Sequence, residues 1–195
     1  MVLSVMIVFL LLLFSPPKLL NKHPNLLFLH TVSRAVLHGH LDGQHIKHSN
    51  SVDFSGNAEP GDIILCHNEG SGYGYWTHSA IYIGNNQAVD SEDFANGTQI
   101  VHVKKYREYD RVAIFRGGVS DVIGQQIAKS AIYKAGKPYD PFSSLTDRQS
   151  EYCSKLIWQV YKANGIDINT LKSWILPDDI ADSRKLHMIV SWDAK

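Results

Sequence analysis

The stretch THSAIYIGNNQAVDSE, Thr77–Glu92, decides how the rest of the chain is read. Ser79–Ile83 is rich in strand-forming residues and stops at Gly84-Asn85-Asn86, residue types suited to a tight hairpin turn. The chain then returns through Gln87–Glu92. His78 stands at the mouth of the first strand and Asp90 lies on the second. Pairing across the turn brings Asp90 back beside His78. Glu92, two residues on, faces the same way and is the reserve. A carboxylate beside an imidazole fixes its tautomer and stabilises its protonated form.

Working outward, NAEPGDIILCHN (Asn57–Asn68) holds a Pro60-Gly61 turn and a short strand, Asp62–Cys66. Downstream, TQIVHVKKY (Thr98–Tyr106) and DRVAIFRGG (Asp110–Gly118) read as two more strands. Short strands joined by tight turns predict an antiparallel sheet. Two helices follow. One runs from a Ser120 cap to Gly136 and presents Ile123, Ile127, Ala131 and Ala135 on one face. The other runs from near Ser150 to Gly165, with Leu156, Ile157, Val160 and Tyr161 as its apolar stripe. Leu176–Trp192 reads as a helical turn and a last strand. Strands first and helices second indicate the α+β class.

Cys153 falls in the first turn of the second helix, three residues after Ser150. Free backbone N–H groups and the positive end of the helix dipole favour an anion there, and the thiolate is the nucleophilic form of cysteine. The same N–H groups suit an oxyanion on an attacked carbonyl. A cysteine nucleophile needs a base, and the base needs a third group to hold its ring. Cys153, His78 and Asp90 supply the three parts. A buried structural cysteine is the alternative at 153.

The motifs PGDIIL, THSAIYIGNNQAVDSE, YDRVAIFR, GKPYD, EYCSKLIWQVYKANGI and LPDDIADS, spread over about residues 58–185, together resemble a known family. It is the circularly permuted branch of the NlpC-type papain-fold hydrolases, the YiiX-like group related to lecithin–retinol acyltransferase. The order of histidine, hairpin, polar residue and distant cysteine carries the resemblance, since unpermuted relatives place the cysteine first. The resemblance implies a circularly permuted papain-like fold, an antiparallel sheet packed against helices. It puts the general base on His78, the nucleophile on Cys153 and the orienting role on Asp90. Tyr152 matches the aromatic residue before the nucleophile, and Tyr139 a tyrosine of the pocket wall. Lys155 stands where the group often has glutamate, a change expected to alter substrate contacts.

The activity so implied is that of a cysteine peptidase or amidase working through a thioester, with cell-wall peptides (peptidoglycan) as the expected substrate. The same chemistry would serve an acyltransferase or thioesterase acting on lipid acyl groups. A binding module that kept the fold without catalysis is the reading from another class. EGSGYGYW (Glu69–Trp76) lacks the Lys-Ser/Thr ending of a phosphate loop and reads as a mobile rim, with Tyr75 and Trp76 offering contact surface to substrate.

The bulk composition suits one globular domain: 195 residues, 44% of them hydrophobic. With 19 basic and 19 acidic residues the chain has no basic excess, which argues against a nucleic-acid partner. Val2–Phe14 is an almost unbroken apolar run, short for a spanning helix and suited to a signal-peptide core, although no Lys or Arg precedes it. Residues 1–17 are therefore expected to be a signal peptide or membrane anchor. Residues 18–55 are expected to form a His-rich connector with an amphipathic helix, and 56–195 the hydrolase domain. A secreted or membrane-anchored, extracytoplasmic location follows. No cofactor and no metal are expected: His38, His40, His45 and His48 cluster but match no strong zinc pattern, and a solvated linker is the favoured reading. Cys66 is expected to be a packed or surface thiol, a disulfide with Cys153 being the alternative. Asn96-Gly97-Thr98 is a glycosylation sequon.

Overall fold

A computed structural model describes residue 30 and residues 52–69, 74–168 and 174–194. The apolar run, the amphipathic stretch apart from His30, and the His38–His48 cluster lie outside the described residues, as do residues 70–73 of the glycine-rich loop. Among the described residues no helix is long and apolar enough to cross a membrane.

Six strands form one antiparallel sheet: β1 (Ile63–His67), β2 (His78–Gly84), β3 (Gln87–Ser91), β4 (Thr98–His102), β5 (Arg111–Gly117) and β6 (Leu186–Asp193). Their spatial order is β4-β3-β2-β1-β5-β6. The helices are α1 (Asp121–Ile132), α2 (Cys153–Ala163) and α3 (Pro177–Ala181). This is the α+β arrangement that the strand-then-helix order predicts.

The β2–β3 turn forms because Asn85 and Asn86 both accept positive φ, 52° and 56°. That is the twist a two-residue hairpin demands, and asparagine tolerates it. The register that results pairs Ala80 with Asp90 and Ile81 with Val89.

Side chains alternate across the sheet, so it carries two cores. On one face Ile63, Leu65, Ile81, Val89, Ala113 and Phe115 meet the helices through Ile127, Leu156, Ile157, Val160 and Tyr161. On the other, Ile64, Cys66, Ala80, Tyr82, Val112 and Ile114 are covered by Val103, Tyr106 and Tyr109. Val52 and Phe54, assigned above to the connector, also pack into this second core. The eleven residues of α2 are too few to be stable alone. Packing supplies the difference: Leu156 and Ile157 are fully buried, each worth roughly 1.5–3 kcal/mol.

Gly61 and Gly124 let α1 approach the Pro60-Gly61 turn. A Cβ on Gly61 would stand 2.5 Å from the Gly124 carbonyl oxygen, and one on Gly124 would stand 2.6 Å from that of Pro60.

Three local expectations change. TQIVHVKKY is not one strand: β4 stops at His102, and Val103–Glu108 is a 3-10 helix. The His102 ring accepts a hydrogen bond from the Lys104 amide, and Val103 and Tyr106, three apart, drop onto the same buried side. Ser120 stands at the N-cap of α1 but makes no side-chain cap. Ser150 does not cap α2, because its hydroxyl donates to Asp147 Oδ2 at 2.6 Å. The helix begins at Cys153 itself, with Tyr152 as its extended N-cap.

Candidate active site

Cys153 is the first helical residue of α2, and the residue is partly exposed. Tyr152 contributes no side-chain cap to the first-turn amides. The positive helix end therefore faces the sulfur, and dipole and free donors both favour the thiolate. Two bonds fix this terminus. The Ser154 hydroxyl donates to the Ile175 carbonyl at 2.8 Å, and the Tyr152 hydroxyl accepts from the Ile175 amide at 3.3 Å.

His78 opens β2 and meets the sulfur there. Its Nε2 lies 2.7 Å from Asp90 Oδ1, with both residues buried. Nδ1 is left for the thiol, and the imidazole and thiol are near enough to shift each other's proton affinity. The ring lies parallel to that of Tyr109, with centroids 6.0 Å apart. Asp178 Oδ1 accepts from the Trp76 amide at 2.6 Å and Oδ2 from the Tyr75 amide at 3.0 Å, so α3 fixes the chain just before His78.

Asp90 is 1% exposed, and burial of a carboxylate is costly unless it is saturated. Saturation comes from the 3-10 helix after β4: Lys105 Nζ at 3.0 Å and the Tyr106 hydroxyl at 2.9 Å, both on Oδ2. Glu92, the reserve choice, instead pairs with Lys105 at 2.8 Å.

These contacts set the charge states. Burial pushes the His78 pKa down, but the Asp90 charge and hydrogen bond and the Cys153 contact outweigh it, and the imidazole is pushed up to about 10. Burial pushes the Cys153 thiol up, but His78, with a smaller contribution from the nearby Ser79 side chain, reverses this and holds it below its ordinary value. Burial works against the Asp90 charge too, and His78 and Lys105 overcome it, holding the carboxyl well below its usual range. Both shifts favour a thiolate beside an imidazolium over the neutral pair.

The aromatic residues assigned to substrate divide. Tyr139 is partly exposed, pairs in a parallel bridge with Glu151 and meets the exposed ring of Phe94 edge-on at 5.3 Å. Tyr75 is half exposed and stacks on His67. Trp76 and Tyr152 have almost no surface to offer substrate. Trp76 packs edge-on against Phe115 in the core, and Tyr152 is buried beside Trp174. Lys155 likewise has no surface to offer: it is fully buried and donates to Ser143 Oγ, Ser150 O and Asp147 Oδ2. Cys66 is a free, fully buried thiol opposite His78 in the β1–β2 register. Among the described residues no three His, Cys, Asp or Glu side chains converge as a metal-binding set.

Lys105, Tyr106, Tyr109 and Asp178 were not singled out from sequence. The three-residue spacing of Val103 and Tyr106 inside TQIVHVKKY was the available signal for the first three.

Residues 57–190 match the family model of the permuted papain-like amidase enzymes YaeF/YiiX, family C92. The chain belongs to this family. Membership in C92 makes it a cysteine hydrolase of the peptidase/amidase kind. The fold is also that of the crystal structure described as metalloprotein yiiX from Escherichia coli O157:H7. The TM-score is 0.55 at 19% identity, over 69% of this chain and 97% of that one. No curated protein matches the chain.

Proposed function

We propose that this C92 protein cleaves an amide bond by a Cys153–His78–Asp90 triad through a thioester intermediate. The observation that carries the reading is the 2.7 Å contact of His78 Nε2 with buried Asp90, made by a ring that also acts on the Cys153 thiol at the start of α2. The Cys153 thiolate attacks the carbonyl carbon. The Cys153 backbone N–H donates to the oxyanion, an interaction worth roughly 10²–10³ in rate when one such donor is lost elsewhere. As the C–N bond breaks, the His78 imidazolium gives its Nδ1 proton to the leaving amine. Neutral His78 then takes a proton from water, the hydroxide adds to the thioester, and the thiolate leaves. Asp90 stays ionised and holds the ring.

The substrate in this reading is a peptide amide, and a bacterial cell-wall peptide at an extracytoplasmic location is the specific candidate. Tyr75, half exposed and three residues before His78, and Tyr139, partly exposed and bridged to Glu151 just before Cys153, are the aromatic surfaces this reading assigns to substrate. The test is turnover of peptidoglycan fragments by purified protein, with acyl esters run in parallel. Hydrolysis of the fragments, lost in Cys153→Ala and in His78→Ala, is expected. Full activity in either variant rejects the triad. Turnover of the esters alone moves the substrate to lipid acyl groups.

A further inference from the structure

Ser79 follows His78 on β2 and is paired with Leu65 of β1, so its side chain points to the face on which α2 packs. Its hydroxyl is fully buried, and among the described residues it has no hydrogen bond of full geometry. A hydroxyl orphaned in a core is costly. The group beside it is the sulfur at the start of α2, and the two interact in the direction that favours the thiolate. A neutral thiol is a weak acceptor and a thiolate a strong one. The hydroxyl thus gains a good partner only when the sulfur is charged.

We propose that Ser79 donates its hydroxyl hydrogen bond to the Cys153 thiolate and so stabilises the attacking form of the nucleophile. This rests on the assignment of Cys153 as nucleophile. Ser79 and His78, neighbours on one strand, then hold the sulfur from two directions. His78 supplies a charge and a proton, whereas Ser79 supplies a neutral donor that stays in place when the imidazole loses its proton.

The experiment is the pH dependence of iodoacetamide alkylation at Cys153, located by peptide mass mapping, in wild type, Ser79→Ala and Ser79→Thr. The titratable groups around the sulfur are His78, Asp90, Cys66, Tyr109 and Tyr152, and none is altered in these variants. Loss of one hydrogen bond to a charged group should raise the thiol limb of Ser79→Ala by about one pH unit. Alkylation on the acid side should slow roughly tenfold. Ser79→Thr, which keeps the hydroxyl on a strand-favouring residue, should restore most of the difference.

Thermal melts supply a second measurement. At a pH acid enough to keep Cys153 a neutral thiol the hydroxyl has no good partner, so Ser79→Ala should melt there at or above the wild-type temperature, and should lose ground only as the thiol ionises. Superimposable wild-type and Ser79→Ala alkylation profiles, the same shift in Ser79→Thr, or a marked drop in melting temperature at that acid pH would each overturn the proposal. A wild-type Cys153 that alkylates like a free peptide thiol overturns it together with the ion-pair reading. A fast wild-type reaction with an unmoved Ser79→Ala profile sinks the Ser79 role alone.

Discussion

Lys105 Nζ lies 3.0 Å from Asp90 Oδ2, the carboxylate oxygen that His78 does not use. Tyr106 donates to the same oxygen at 2.9 Å, and Lys105 also reaches Glu92 at 2.8 Å. One buried carboxylate is thus held by three donors, from β2 and from the 3-10 helix that follows β4. With both oxygens occupied, Asp90 has one orientation, and His78 inherits it.

Asp90→Asn should remove the charge that keeps His78 protonated. The wild-type profile of kcat/KM should be a bell, with its acid limb below the ordinary thiol value and its alkaline limb near pH 10. In Asp90→Asn burial still pushes the imidazole down with no carboxylate to oppose it, so the alkaline limb should move to lower pH. The rate should fall by roughly 10³–10⁴. Stability follows the same pair. Asp90, its pKa lowered, contributes above its ordinary 3.8 and loses that contribution as pH falls through the lowered value. His78, its pKa raised, contributes fully below 6.5 and loses that contribution as pH rises through about 10. The wild-type advantage in melting temperature should therefore be widest between about pH 4 and 6.5 and should shrink on approaching pH 10. A pH-independent difference would contradict this.

Lys105→Met and Tyr106→Phe should each destabilise by about 1–3 kcal/mol, the cost of losing a hydrogen bond to a charged, buried acceptor. They share one oxygen, so either remaining donor partly satisfies Oδ2. The double variant should cost more than the sum, with a coupling above about 0.5 kcal/mol. Urea unfolding of the two single variants and the double variant measures it. Additivity would mean that the two donors serve Asp90 independently.

The hairpin was legible because its signals are local: strand formers, a Gly-Asn-Asn turn and two polar residues whose spacing brings them together. Cys153 was legible as a cysteine near a helix start, and its proximity to His78 came from the family resemblance. The support of the site was not legible. Lys105 and Tyr106 reach Asp90 because the chain leaves the sheet at His102, and VHVKKY has strand composition; the His102 cap decides otherwise. Asp178 bonds to Tyr75 and Trp76 across about a hundred positions, a distance no periodicity reports. Aromatic residues beside a nucleophile suit either core or substrate by sequence; burial leaves Trp76 and Tyr152 almost no surface for the second.

Cys66 should be silent in the folded protein. It is fully buried, and burial pushes its thiol well above the ordinary value. Non-reduced native protein should take up one iodoacetamide per chain, at Cys153, and a second only in denaturant. Two adducts in the native state would place Cys66 within reach of solvent. No adduct even in denaturant would mean a disulfide between the two, and with it no free nucleophile.

Lys155 gives the sharpest test of what holds Cys153 in place. Its ammonium is fully buried and its three N–H groups go to Ser143 Oγ at 2.8 Å, Ser150 O at 2.8 Å and Asp147 Oδ2 at 3.2 Å. These bonds tie the 143–150 loop to the first turn of α2, and Ser150 lies three residues before the nucleophile. Methionine matches the lysine stem in length and leaves the buried Ser150 carbonyl without its donor, while the Ser143 hydroxyl keeps only its bond to the Asp140 carbonyl. Lys155→Met should therefore cost about 2–4 kcal/mol in urea unfolding, the usual penalty for removing one member of a buried polar network. Catalysis should suffer separately, because a shift of about 1 Å in a reacting group costs on the order of 10²-fold. Hence kcat should drop even where the variant is fully folded. Its pH limbs should stay in place, since Lys155 touches neither His78 nor Asp90. A variant as stable and as active as wild type would show that the loop holds the helix terminus without this lysine.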